Sequence, residues 1–197
     1  MKFKNQNLNI LVLVVVSLLV LAIFAFPAAQ NDLSRFMGLS ANFQSSSSLV
    51  VSGDKFEQAE VKKVVDGDTI NLTDGRTIRY LNMDTPETKK PNTAVQCYGP
   101  EASKLNKELV DGKKVWLLSD KQDKDRFGRS LRFVFISDNK PTNVRDSVNA
   151  AFVREGFARS SIYKPNTTYE DVFKKLELEA KSKKLGLWGV CSKPFVE

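Results

Sequence analysis

Histidine is absent from the 197 residues of the chain, and cysteine occurs only twice. The lack of histidine removes the side chain that most often serves as a general base near neutral pH and as a metal ligand. With so few cysteines, a four-ligand zinc site of nitrogen and sulfur is also excluded. Any metal site must therefore use oxygen ligands, and proton transfer falls to Glu, Asp, Lys or Tyr side chains.

The balance of charge is basic, with 30 lysine and arginine residues against 23 aspartate and glutamate residues and a formal net charge of +7. Hydrophobic residues make up 42% of the chain, which suffices for the core of one domain with appendages. A basic domain suits a polyanionic partner, because each phosphate that it neutralises releases bound counterions. A lysine-rich surface also serves ordinary solubility, so charge alone does not identify the partner.

The N-terminal segment is apolar and follows a short basic stretch. Lys2 and Lys4 precede residues 10–26, which contain no charged side chain. This pattern is typical of an export signal and also of an uncleaved membrane anchor, and residues 1–29 are predicted to be one of the two. Either alternative places the following domain outside the cytoplasm, because the positive end stays inside. Residues 30–57, which are rich in serine, are predicted to be a flexible linker.

Beyond the linker, the spacing of apolar residues predicts both strands and helices. Alternation between turn residues predicts five strands, at residues 58–65, 69–73, 76–83, 113–119 and 130–137. Helical spacing predicts three helices: one between Gly99 and Asp111, one over 143–155, and one after Pro165 with a capping box at Thr167 and Glu170. This order indicates an α+β, mainly β fold, in which helices cap a small antiparallel barrel of the OB-fold type.

The stretch from Val64 to Thr88, VVDGDTINLTDGRTIRYLNMDTPET, reads as a β-hairpin. The Asp74–Gly75 pair predicts a tight turn of the primed type between its strands. Asp66 and Asp68 are two residues apart, so an extended chain would point both carboxylates to one side.

Asp84 ends the second strand of this hairpin, which would bring it back towards Asp68. Two converging carboxylates, with further oxygen atoms from the Asp84–Thr85 backbone, would form a site for a hard divalent cation. The alternative is that the aspartates are only turn residues, because Asp-Gly is a common turn dipeptide.

Three motifs in this order are shared with a known family: VDGDTI, the arginine of TIRYLNMDTPET, and DRFGRSL at residues 125–131. In these motifs the chain resembles the staphylococcal nuclease (thermonuclease) family, over about residues 58–190. The resemblance implies the same five-stranded OB-fold barrel with three helices. The predicted organisation is therefore a nuclease-like domain over residues 58–191 and a tail over residues 192–197.

The resemblance also implies roles for individual residues. Asp68, Asp84 and the Thr85 carbonyl resemble the calcium site of the family, and Asp66 would reach the metal through water. Glu87 resembles the general base of the family. Arg79 and Arg129 resemble the two arginines that bind the phosphate. It further implies a substrate of DNA and RNA, single-stranded or unstructured, cleaved to a 3′-phosphate with the 5′ oxygen leaving. No protein partner is implied. The alternative is a catalytically weak nucleic-acid-binding OB-fold module at the cell surface.

The nucleotide-binding residues depart from the family pattern at two positions. Phe127 stands where the family often has a tyrosine that reaches a nucleotide phosphate, and Ser161 replaces one of two tyrosines of the base pocket. The other tyrosine of the pocket is retained as Tyr163. Together with Lys164 and Arg126, Tyr163 is predicted to contact nucleic acid. We therefore expect activity with an altered nucleotide affinity or preference.

Cys97 and Cys191 form an even pair in a domain predicted to be exported, which predicts a disulfide. Such a bond would tie the loop before the first helix to the C-terminal tail. The alternative is two unpaired thiols.

Overall fold

The computed structural model describes residues 56–89 and 94–195. The predicted leader and the predicted linker up to residue 55 lie outside these ranges. Within the described ranges, no helix combines the length and the apolar character that crossing a bilayer requires.

The architecture is a closed five-stranded barrel, in agreement with the prediction from the sequence. The seven strands of the described chain are β1 Phe56–Val64, β2 Thr69–Leu72, β3 Thr77–Tyr80, β4 Met83–Asp84, β5 Lys114–Leu118, β6 Ser130–Phe135 and β7 Arg159–Ser160. The barrel order is β1-β2-β3-β6-β5, and β4 and β7 form a separate two-stranded sheet. Alternating side chains of the barrel strands fill its interior, including Val61, Ile70, Leu72, Ile78, Leu117 and Phe133, all buried.

One barrel pairing differs from the predicted antiparallel arrangement. Strands β3 and β6 run parallel, with Ile78 opposite Ser130 and Tyr80 opposite Arg132. The prediction was wrong here because a helix and β5 lie between these strands in the chain, and a connection of that length can return the chain in the same direction.

The turn between β2 and β3 also differs from the prediction. Gly75 has a φ of 91°, whereas Asp74 is not among the residues with positive φ, so a primed turn is excluded. Leu72 N–H donates to the Arg76 carbonyl at 2.9 Å, which closes a three-residue loop. The Asp74 carboxylate accepts hydrogen bonds from the backbone N–H and Nε of Arg76, and these contacts favour the longer loop.

In the part of the chain that the structure describes, four α-helices follow or interrupt the strands: α1 Gly99–Val110, α2 Val148–Arg154, α3 Glu170–Ser182 and the short α4 Leu187–Val190. The predicted inner face of α1 is correct, since Ala102, Leu105 and Leu109 are all buried. The Asp111 carboxylate at its end accepts the Val64 N–H at 2.9 Å and so anchors the last residue of β1. Helix α1 therefore fixes the point at which the chain leaves β1.

The predicted helix over residues 143–155 is divided in two. A 3-10 turn, Val144–Asp146, precedes α2, and the extended Ser147 between them caps α2 by accepting the Ala150 N–H at 3.1 Å. A serine hydroxyl that competes for backbone groups in this way is a common reason for a helix to start anew.

The predicted capping box of α3 is absent. The N-cap of α3 is Tyr169, which makes no side-chain capping bond. The Thr167 hydroxyl instead accepts a hydrogen bond from Lys121 at 3.2 Å, because the neighbouring loop lies within its reach.

Candidate active site

The first acidic residues of the site lie in the turn between β1 and β2. The Asp66 carboxylate accepts the N–H of Asp68 at 3.1 Å, so these two residues occupy an Asx-type turn, and the prediction of an extended chain here was wrong. Burial and the neighbouring charge of Asp68 raise the pKa of Asp66 to about 6. Asn106 of α1, itself bound by the Tyr80 hydroxyl, donates to the Asp66 carbonyl at 2.8 Å and fixes the turn.

Asp68 is the most buried acid of the site, with 6% of its surface exposed. Its Oδ2 accepts two hydrogen bonds from Thr85, from the backbone N–H at 3.1 Å and from the hydroxyl at 3.2 Å. This close approach requires glycine at position 67, because a Cβ there would lie 2.6 Å from the Thr85 hydroxyl oxygen. The two loops that carry Asp68 and Thr85 are therefore held in direct contact.

Arg79, on β3, bridges the two predicted metal ligands. Its Nη1 lies 2.9 Å from Asp68 Oδ2 and its Nη2 lies 2.8 Å from Asp84 Oδ1. Burial opposes the charge of this guanidinium, but the carboxylates outweigh burial and raise the pKa of Arg79 above its ordinary value. In this structure the guanidinium compensates negative charge that a bound cation would otherwise compensate.

A second arginine, Arg159, binds Asp84 from the other side. Its Nη2 and Nε lie 2.7 and 3.1 Å from Asp84 Oδ2, and the pairing of β4 with β7 sets Asp84 opposite Arg159. Sequence reasoning missed this residue, because two-residue strands separated by 75 positions leave no periodic pattern.

Glu87 lies in the segment between β4 and α1. Its carboxylate Oε1 accepts the backbone N–H groups of Thr88 at 2.8 Å and Lys89 at 2.7 Å. Its own backbone is bound by Gln96: Glu87 N–H donates to Gln96 Oε1 at 2.8 Å, and Gln96 N–H donates to the Glu87 carbonyl at 2.9 Å. The position and orientation of this carboxylate are thus set by local hydrogen bonds.

Arg129 stands at the end of the loop between β5 and β6. Its Nε binds Asp125 Oδ2 at 2.7 Å, and Asp125 Oδ1 accepts the backbone N–H groups of Phe127 and Arg129. Partial burial raises the pKa of Asp125, but the bonds from Arg129 outweigh it, and the net pKa is below the ordinary value. An ionised Asp125 therefore shapes the loop and directs Arg129.

The acids and arginines from these loops meet around one polar cavity of about 190 Å³. Its lining consists of Asp66, Asp68, Thr69, Arg79, Asp84, Thr85, Pro86, Glu87 and Arg129. The structure thus brings together every residue to which the family resemblance gave a catalytic or metal-binding role. No three Asp, Glu or Cys side chains of the described chain lie close enough to hold an ion by themselves. An ion here would need main-chain or water oxygen atoms besides Asp68 and Asp84.

A larger cavity of about 450 Å³ adjoins the first and shares Arg79 and Arg129 with it. The residues predicted to contact nucleic acid, Arg126, Tyr163 and Lys164, all line this cavity. Phe127 also lines it; the residue is 68% exposed, and the centre of its ring lies 4.8 Å from the Arg126 guanidinium. Exposed aromatic rings beside cations provide a surface on which unpaired bases can stack.

Cys97 and Cys191 are joined by a disulfide, with their Cα atoms 6.0 Å apart. The bond links the residue after Gln96 to the residue after α4. It therefore connects the Glu87 segment with the C-terminal part of the chain.

The fold and the cavity together define an OB-fold protein with a site built from carboxylates and guanidinium groups. Residues 77–190 match the sequence model described as Staphylococcal nuclease homologue, and this match covers more than half of the chain. The chain belongs to that family.

Several curated proteins are similar to this chain. It is 52% identical over 131 residues to the SPbeta prophage-derived endonuclease YokF of Bacillus subtilis (strain 168), covering 64% of this chain and 42% of that protein. It is 47% identical over 139 residues to Endonuclease YncB of the same organism, covering 68% of this chain and 63% of that protein. It is 37% identical over 157 residues to a Thermonuclease of Staphylococcus hyicus, covering 78% and 87%. The aligned part thus spans less than two thirds of either Bacillus relative.

Proposed function

We propose that the protein is a calcium-dependent nuclease that hydrolyses phosphodiester bonds of DNA and RNA outside the cytoplasm. The observation that carries the proposal is the single cavity into which Asp68, Asp84, Glu87, Arg79 and Arg129 all converge. Membership of the staphylococcal nuclease family supports it, as do relatives whose names are endonuclease and thermonuclease.

The donor groups of the cavity fit a hard cation. They are oxygen atoms only, and calcium tolerates the irregular shell that two carboxylates, a backbone carbonyl and water would offer. Burial, together with the charge of Asp68, raises the pKa of Asp66, and a cation nearby would favour the ionised form of this carboxylate. Asp68, Asp84 and Thr85 would hold the ion, with Asp66 acting through water. When bound, the ion would supply electrostatic stabilisation of the negative charge on the phosphate.

The side chains around the ion site suit attack of water on phosphorus. Glu87 would accept a proton from the attacking water, because a carboxylate fixed by two backbone N–H groups can orient that water. Arg79 and Arg129 would donate hydrogen bonds to the non-bridging phosphate oxygens, on which charge grows in the transition state. The bond between phosphorus and the 5′ oxygen would break, and the 5′ oxygen would leave with the electron pair and take a proton from water. One product would then carry a 5′ hydroxyl and the other a 3′-phosphate.

The neighbouring cavity suits the nucleoside part of the substrate. Tyr163 and Phe127 are 69% and 68% exposed at its edge, and Arg126 and Lys164 add positive charge. Stacking on exposed rings needs an unpaired base, so the proposed substrate is single-stranded or unstructured nucleic acid.

The proposed location is outside the cytoplasm, either anchored by residues 10–26 or secreted after cleavage of the leader. The disulfide between Cys97 and Cys191 supports export, because such bonds persist in oxidising compartments. Protease treatment of intact cells, together with a measurement of the mass of the mature protein, tests the proposed location. A protected chain of full mass would contradict it.

Digestion of single-stranded DNA by the purified protein, with calcium or with chelator, tests the activity. Cleavage should occur in calcium and stop in chelator, and Glu87→Gln and Arg129→Ala should each lose about 10²–10³ in rate while still folding. Glu101→Gln, the same chemical change at an exposed residue of α1, is the matched control and should keep full activity. Binding without cleavage in calcium would instead favour a catalytically weak nucleic-acid-binding module.

A further inference from the structure

Gln96 makes two hydrogen bonds with the backbone of a single residue, Glu87. Its side-chain Oε1 accepts the Glu87 N–H at 2.8 Å, and its own N–H donates to the Glu87 carbonyl at 2.9 Å. Both polar backbone groups of Glu87 are therefore engaged by the same partner. The two bonds join residue 96 directly to residue 87.

Gln96 and the two residues after it are attached to the body of the domain. The next residue, Cys97, is bonded to Cys191 beyond α4. The ring of Tyr98 lies 5.2 Å from that of Phe157. The carbonyl of Gln96 accepts the N–H of Gly99, the first residue of α1, at 3.1 Å. Because α1 and the disulfide fix the position of Gln96, the hydrogen bonds from Gln96 fix the position of the Glu87 backbone.

The orientation of the Glu87 carboxylate depends on that backbone position. Its Oε1 accepts the N–H groups of Thr88 and Lys89, so the carboxylate turns with the path of residues 87–89. Gln96 sets the start of this path by holding both backbone groups of Glu87. A displacement of about 1 Å at a reacting group can cost roughly 10² in rate.

We propose that Gln96 is a positioning residue for Glu87. It holds Glu87 at the place in the cavity wall from which the carboxylate can activate the attacking water. The proposal rests on the proposed nuclease function, because it assigns no contact between Gln96 and the substrate. It predicts an effect on turnover rather than on substrate or calcium binding, since Gln96 does not line either cavity.

Steady-state kinetics of three variants test the proposal. Gln96→Ala should lower kcat by about 10- to 100-fold, with KM and calcium affinity little changed. Gln96→Glu should restore most of kcat, because a carboxylate oxygen can still accept the Glu87 N–H. Gln58→Ala, at an exposed position of β1, is the matched control and should behave as the unaltered protein. Equal defects in Gln96→Ala and Gln96→Glu, or an unchanged kcat in Gln96→Ala, would overturn the proposal.

A double variant separates positioning from a general loss of structure. In the Glu87→Gln background, Gln96→Ala should cause little further loss of residual activity, because the group that it positions is already disabled. A further loss as large as in the unaltered protein would show that Gln96 acts through something other than Glu87.

Amide hydrogen exchange gives a readout that does not depend on activity. Gln96→Ala should speed exchange at Glu87, Thr88 and Lys89 while the strands of the barrel keep their protection. If the unaltered protein cleaves nothing in calcium, the proposed function fails, whereas unchanged exchange at these amides overturns the positioning role. The two failures are therefore distinguishable.

Discussion

Replacement of Gly67 by alanine should disable the site with a limited loss of stability. The added Cβ would lie 2.6 Å from the Thr85 hydroxyl oxygen and 2.8 Å from the Thr85 Cβ and Cγ2. Carbon atoms pack best at about 3.5–4.0 Å, so Thr85 must retreat by about 1 Å. The backbone of Gly67 is not in the left-handed region, and the effect should therefore arise from this contact alone.

The size of the effect follows from what Thr85 holds. Two hydrogen bonds join it to Asp68, a predicted ion ligand. Disturbing partners of metal ligands typically lowers metal affinity by about 10- to 100-fold. Overpacking at a buried position costs about 1–3 kcal/mol of unfolding free energy. We expect losses of this order in calcium affinity and in stability, and a fall in turnover by about 10²-fold.

Calorimetric titration with calcium, together with the digestion assay, measures these effects. Gly75→Ala provides the matched control, because its φ of 91° strains an alanine while no atom lies within 4 Å of the added Cβ. This control should lose about 1–2 kcal/mol of stability and keep its calcium affinity and turnover. Full calcium affinity in Gly67→Ala would contradict this prediction, as would a turnover no lower than in the control.

Three further predictions concern stability and substrate binding. Reduction of the Cys97–Cys191 bond, which spans 94 residues, should lower the unfolding free energy by about 4–5 kcal/mol in denaturant titrations; coincident curves would contradict this. The hydrogen bond from Arg76 lowers the pKa of Glu57, so the folded protein should lose stability as the pH drops below the ordinary pKa of a glutamate. Glu57→Gln should flatten this dependence in unfolding curves measured between pH 5 and 3. Tyr163→Ala should weaken binding of single-stranded DNA by about 1–3 kcal/mol, seen as a higher KM, whereas an unchanged KM would exclude stacking on this ring.

Much of the fold follows from side-chain periodicity, because burial depends directly on that periodicity. Ile70 and Ile78 occupy inward positions of β2 and β3, and Leu105 and Leu109 occupy one face of α1. Strand direction was harder to predict. The parallel pairing of β3 with β6 depends on how the intervening chain returns, and no local pattern records this.

The predictions of turns and helix caps were wrong where a side chain forms a hydrogen bond that the sequence rules for turns and caps do not consider. Asp74 binds Arg76 and favours a three-residue loop over a primed turn. Ser147 caps a new helix in the middle of a continuous apolar period. Such choices involve small energy differences between local alternatives, and tertiary contacts decide among them.

The residues of the candidate site were named from motifs, but their contacts were not. The sequence placed Asp68, Arg79 and Asp84 near one another, yet it gave no sign that the guanidinium bridges both carboxylates. Arg159 and Gln96 were missed because each acts on a motif residue from outside the motif. Contacts of this kind depend on the folded path of the connecting loops.

The proposed function is tested most directly by whether calcium and nucleic acid bind in the same cavity. Fluorescence polarisation of a short single-stranded DNA with the Glu87→Gln variant measures binding without turnover. Calcium should tighten binding by about 1–3 kcal/mol relative to chelator, because the proposed ion ligands and the proposed phosphate-binding arginines line the same cavity, between Asp68 and Arg129. An affinity that is the same in calcium and in chelator would contradict the proposed function.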